Sequence, residues 1–136
     1  MANHSRPDSV VEGLLHPQQA DQFTSLCRAT SADELAGLRL RVRIHLAEVD
    51  GAARTDDRVD IDMARRIATV LGQLLDEPDS WDPEQRALLR GAVEYFHLSE
   101  DLRSDLTDWF GFDDDARVTN AVTSAVGRAD LTIELG

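Results

Sequence analysis

Six aspartates, Asp101, Asp105, Asp108 and Asp113 to Asp115, crowd one short stretch of the sequence. Hard cations such as Mg²⁺ or Ca²⁺ require several converging oxygen ligands. On that reading Asp101, Asp105, Asp114 and Asp115 are the candidate ligands, and the chain is a divalent-metal-binding protein or a metal-dependent enzyme. The spacing departs from the calcium-binding helix–loop–helix pattern, in which acids alternate tightly and the loop ends in Glu. The same acids also have structural uses. Asp113, Asp114 and Asp115 suit a first helical turn, where the macrodipole favours anions, and Asp105 and Asp108 suit turns in which a carboxylate accepts backbone N–H groups. Beside them stands Trp109-Phe110-Gly111-Phe112. Its rings either fold inward and pin the loop, or leave Trp109 outside as an anchor for another protein.

Other chemistry is sparser. Glu94-x-x-His97 places an oxygen and a nitrogen on one helix face, as in carboxylate-bridged di-iron bundles, but such a site needs two of these pairs and two further glutamates. Without them, His97 reads as a surface side chain near a helix C-terminus, where its charge is favoured. Arg39, Arg41, Arg43 and His45 form the one basic cluster. Lacking lysine and interleaved aromatics, it does not suit nucleic acid, and its arginines are expected to pair with acids of the C-terminal half or with a partner. There is no Gly-x-Ser-x-Gly elbow and no glycine-rich phosphate loop. Cys27 is the single cysteine, so no internal disulfide can form, and it reads as a small buried hydrophobe.

Twenty-six acids face fourteen basic residues, all arginine, for a net charge of −12. Residues 1–58 hold nine acids and seven arginines, net −2, and residues 59–136 hold seventeen and seven, net −10. Such a C-terminal part repels nucleic acid and anionic lipid and attracts a basic protein. Acidic mimicry of nucleic acid is a further alternative. No apolar run approaches the length of a membrane span. Met1 to Pro7 lacks the apolar core of a signal peptide, which together with the lone thiol points to the cytoplasm.

Helices must position these residues. Residues 1–8 read as a disordered lead, and 9–136 as a single domain. After a short amphipathic piece at Ser9–Leu15, Pro17 suits a first helical position, and Ala20, Phe23, Leu26 and Cys27 recur at helical spacing. Ser31-x-x-Glu34 is a capping box. The stretch behind it carries two periods at once. Leu35, Leu38, Val42, Leu46 and Val49 repeat as in a helix, whereas Leu38, Leu40, Val42, Ile44 and Leu46 alternate as in a strand. The cap favours helix; a strand here would pair with the alternating run Leu131–Leu135. A polar linker is expected over 50–58, then a helix from an Asp60 cap to Leu75, stopped by Pro78. Asp82-Pro83-Glu84-Gln85 opens the next helix, with Leu88, Leu89, Ala92, Val93 and Phe96 on its buried face. Residues 99–112 lose the helical period. Asp113 opens a last helix with Val118, Ala121, Val122, Ala125 and Val126 inward, and Gly127 closes it. The expectation is all-α: a compact bundle of about five helices holding a structured acidic loop before the last one.

The run Tyr95 to Val118, YFHLSEDLRSDLTDWFGFDDDARV, resembles the YkvA-like family of small bacterial helical domains. In that family a helix ends in Tyr-Leu, a loop reads roughly Pro-x-Asp-Leu-Ile-Pro-Asp-x-Ile-Pro, and a Gly and an Asp-Asp pair open the next helix. Tyr95, Asp101, Leu102, Asp105, Gly111, Asp114 and Asp115 fall on those positions, while Ser99, Ser104 and Asp108 stand where the prolines would be. The resemblance implies a bacterial helical domain, most family-like over 59–130, with a structured acidic turn and no known reaction. Taken together, the sequence points to a non-catalytic interaction or regulatory module without a cofactor. It would meet another protein, a basic one, through Trp109, Asp105, Asp108 and Phe112, away from nucleic acid and membrane.

Overall fold

The computed structural model describes Leu15 and residues 17–56, 60–101 and 113–134, with the side chains of 98–101, 113 and 114 excepted. Five helices follow one another: α1 Pro17–Leu26, α2 Ala32–Ala53, α3 Ile61–Leu75, α4 Pro83–Asp101 and α5 Asp113–Ala125. Single 3₁₀ turns sit at Pro78–Ser80 and Ala129–Leu131. No strand occurs among the described residues, and none of their helices is long and apolar enough to cross a membrane.

Side chains written into the sequence start these helices. Ser31 Oγ accepts the Glu34 N–H at 3.0 Å while Glu34 Oε1 accepts the Ser31 N–H at 2.8 Å, closing the capping box of α2. The Ser31 bonds hold the Glu34 carboxyl below its ordinary pKa. Asp60 accepts the Met63 N–H at 3.0 Å to begin α3. Asp82 and Gln85 exchange bonds of 2.8 and 3.0 Å at the head of α4. Each cap satisfies an N–H group that the first turn would otherwise leave unpaired. At the other end of α5, Gly127 takes φ +80°, and the Arg128 N–H reaches back to the Thr123 carbonyl at 2.7 Å. That reversal needs a left-handed residue, which glycine adopts without a Cβ penalty.

The core is aliphatic, with α2, α3, α4 and α5 each contributing one stripe. Leu35, Leu38, Val42 and Val49 of α2, Ile67, Leu71 and Leu74 of α3, Leu89, Val93 and Phe96 of α4, and Val118 and Val122 of α5 are buried in one cluster. Each such side chain fully withdrawn from water is worth about 1.5–3 kcal/mol before the entropy of ordering it. From α1, Phe23 is wholly buried. It lies against α4 where Gly91 leaves room: a Cβ there would overlap Cys27 Sγ and stand 2.8 Å from the Phe23 ring.

The segment 38–46 is helix, as the cap favours. Other expectations change. The polar stretch from Asp50 stays helical to Ala53 in place of the expected linker. Asp50 continues the helix because its carboxylate is answered there, by Arg54 one turn on at 3.2 Å and by Arg65 of α3 at 3.0 Å. α4 runs through Ser99 and Glu100 to Asp101, so the first part of the expected loop is helical. Leu131–Leu135, the would-be strand, begins inside a 3₁₀ turn, and Ile133 is clamped by the Asn120 side chain through bonds of 2.9 and 2.7 Å. Ala125, expected inward, is exposed. The lead, the rest of the Ser9–Leu15 piece and the loop 102–112 lie outside the described residues, although Leu15 itself is buried in the core.

The Gly91 contact yields a direct test. Gly91→Ala must push α1 off α4 and is expected to destabilise the domain by about 1–3 kcal/mol, the usual range for overpacking. Urea unfolding checks this. A variant as stable as the parent would mean that α1 does not pack where it is described.

Candidate functional site

The helices bring one group of polar side chains together away from the surface, where α2 crosses α4. Glu94, 9% exposed, receives Arg41 Nη1 at 2.8 Å and has Arg90 Nε at 3.5 Å. One turn along α2, the His45 ring stands edge-on to Phe96 of α4, centroids 4.4 Å apart and planes at 87°. His97 completes the row, its ring centroid 5.5 Å from that of His45. His45 is 1% exposed. Its place in the sequence-level basic cluster is therefore corrected: the helical period turns it onto the core stripe beside Val42 and Val49 and leaves the arginines outside. His97 is also revised. It is half-buried, its Nδ1 is enclosed without a hydrogen-bond partner, and the helix continues past it to Asp101.

This arrangement holds the Glu94 side chain between two guanidiniums, a geometry that orients helices rather than reacting groups. An arginine fork matches a carboxylate well, and removing one partner leaves the other charge poorly solvated. Among the described residues no group of three or more His, Cys, Asp or Glu side chains converges on a point where a metal ion could sit. The arginines reach acids of the C-terminal half as the charge pattern implied, Arg41 to Glu94 and Arg39 to Asp76 at 3.0 Å. Arg43 remains exposed.

The sequence-derived site divides. Asp105, Asp108, Trp109 and Phe112 lie outside the described residues. Asp101 is the last residue of α4 and Asp114 the second of α5, so the candidate metal ligands are spread over two helix ends and the segment between them. Asp115, the fourth of them, is 1% exposed in the first turn of α5, and its carbonyl accepts the Thr119 hydroxyl at 2.8 Å. The structure therefore seats Asp115 inside the bundle.

Two side chains that sequence reasoning passed over tie the connections together. Arg86 donates from Nε to the Thr30 carbonyl at 2.7 Å and from Nη1 to the Trp81 carbonyl at 2.8 Å, joining the α1–α2 connection to the α3–α4 connection. Trp81 donates its indole N–H to the Leu74 carbonyl at 2.8 Å, satisfying the end of α3. The Trp-Asp-Pro spelling before α4 suggests a ring packed on the helix that follows, whereas the indole bonds back to α3. Beside the last turn, a groove of about 490 Å³ is lined by Arg65, Arg66, Thr69, Val70 and Ile133, among others. Arg65 is already engaged by Asp50.

Cys27 is partly buried, packed against the core beside Phe23. Burial pushes its pKa up to about 12 from 9.0. The folded thiol therefore stays protonated while the unfolded one ionises, so this contribution to stability is complete below pH 9 and is lost as pH rises from 9 towards 12. Labelling by a thiol-specific reagent at pH 8 is expected to be slow in buffer and fast in denaturant; equal rates would show an open, reactive thiol. At the crossing, Arg41→Ala should cost about 1–2 kcal/mol, less than the full value of a buried pair because Arg41 is partly exposed. In Glu94→Gln that same substitution should cost little. A double-mutant cycle by urea melts measures the coupling, and additive losses would remove the pair's assigned role.

No protein-family model, no curated protein and no solved structure matches the chain.

Proposed function

We propose that this domain is a non-catalytic interaction or regulatory module that meets a basic protein through the acidic surface of its C-terminal part. The observation that carries this reading is the α3–α4 connection. Asp76, Glu77, Asp79, Asp82 and Glu84 share nine residues with no basic residue between them, and all five are exposed. Asp76 answers Arg39. Arg86, the next arginine along the chain, gives its guanidinium to backbone carbonyls. Trp81 is anchored by its indole bond and holds the bend in one shape. A fixed, negative, solvent-facing bend attracts a cationic surface and steers its approach.

On this reading the acids and aromatics of the segment between α4 and α5, Asp105, Asp108, Trp109 and Phe112, contribute a further acidic contact, with Trp109 as its apolar anchor. Kinship with the YkvA-like family belongs to the same proposal. It rests on the residues from Tyr95 to Val118 alone.

Affinity capture on the full chain tests the proposal, comparing the parent with Glu77→Gln/Asp79→Asn/Glu84→Gln and with Trp109→Ala/Asp105→Asn. Recovery of basic proteins should fall several-fold in both variants and should fall with added salt in the parent. Recovery unchanged by either set of substitutions and by salt would sink it.

A further inference from the structure

We propose that the outward face of α2 is a self-association surface, on which a second copy of this chain lays its own α2 side by side and parallel. Leu40 and Ile44 are the large hydrophobic side chains left in water among the described residues, 59% and 51% exposed. They sit one turn apart and roughly half a helical circumference from the core stripe of Leu35, Leu38, Val42 and Val49. The two belong to a longer pattern. Gly37, Leu40, Ile44, Ala47 and Gly51 follow one another at alternating spacings of three and four residues. That is a heptad seam, with Ile44 at an a position and Leu40 at a d position, the placing that suits two parallel strands. Gly37 and Gly51 open the seam to close approach, and this chain does not itself require them: a Cβ at either would meet nothing within 4 Å.

Charge complementarity names the occupant and its direction. Arg43 flanks the seam on one side, at a g position, and Glu48 flanks it on the other, at the following e position. Both side chains are exposed. In a parallel pair of helices g of one chain faces the next e of its partner, so Arg43 meets the partner's Glu48 on both flanks. In an antiparallel pair like positions face each other, and Arg43 and Glu48 would each oppose their own kind. Among the described residues the rest of the bundle lies on the buried face of α2, and Leu40 and Ile44 of the seam stay exposed. With four acids and three arginines, α2 is close to neutral although the whole chain is −12. The seam spans only about two heptads, so the dimer is weak and forms in a concentration-dependent way, below the size of a standard stable interface.

Analytical ultracentrifugation of the full chain from micromolar to millimolar concentration tests this, with circular dichroism to confirm folding. The parent should pass from monomer to dimer. Leu40→Asn/Ile44→Asn should weaken dimerisation by roughly tenfold or more, and so should Arg43→Glu or Glu48→Arg alone, because each places like charges on both flanks. Mixing the Arg43→Glu and Glu48→Arg chains should restore a dimer, now between unlike chains, because both flanks again pair opposite charges. A parent that stays monomeric throughout overturns the proposal. So does a dimer indifferent to the Leu40/Ile44 substitutions. Failure of the mixed charge variants to associate overturns it too. Capture of a basic protein by the acidic surface does not depend on any of these outcomes.

Discussion

Glu94 is an anion almost sealed from water, and the packing of α2 against α4 is organised around keeping it satisfied. Arg41 comes from α2 and Arg90 from one turn back on Glu94's own helix, so the carboxylate meets a guanidinium from each helix. An uncompensated charge at that depth would be costly enough to undo the crossing. Once Arg41 is fixed, the helical period fixes His45 one turn later, and His45 can lie nowhere but against Phe96. The polar pair thus sets the register, and the aromatic contact fills the space the pair defines. Around it the aliphatic stripes supply most of the burial, but they would tolerate sliding, since one leucine packs nearly as well as its neighbour.

Charge is apportioned with the same economy. Cations of the N-terminal half are used against acids of the C-terminal half at two helix crossings, Arg39 with Asp76 and Arg41 with Glu94, while Arg65 returns from α3 to Asp50. Arg86 goes to carbonyls of two connections. Acids thus outnumber cations where the chain turns between α3 and α4. An all-helical domain that uses its arginines as internal ties leaves a negative exterior, and that exterior is the physical basis for the function proposed.

α2 shows how one segment can hold two messages. Read every second residue it is a strand, and read at helical spacing it is a core helix. The capping box decides between them, because Ser31 and Glu34 satisfy two N–H groups that only a helix start presents together. The choice has a consequence. Leu40 and Ile44, which belong to the strand pattern and not to the core stripe, are left on the outside of the helix. The ambiguity in the sequence and the exposed apolar seam on the structure are one fact seen twice.

Caps, stops and apolar stripes were legible from the residues alone: Ser31 with Glu34, Asp60, Asp82 with Gln85, Gly127, and nearly every buried position of α3 and α4. These are local matters, settled within a turn or two of chain by hydrogen bonds and side-chain period. What the residues alone left undecided were partners distant in sequence. That His45 is core and not part of a basic cluster, that Glu94 meets guanidiniums from two helices, that Asp50 is answered by Arg65, and that Asp115 is seated inside the bundle all depend on helices brought together from far along the chain. A side chain's spacing tells which face of its own helix it occupies; only the packing of that face against another decides whether it meets water, an opposite charge or a ring.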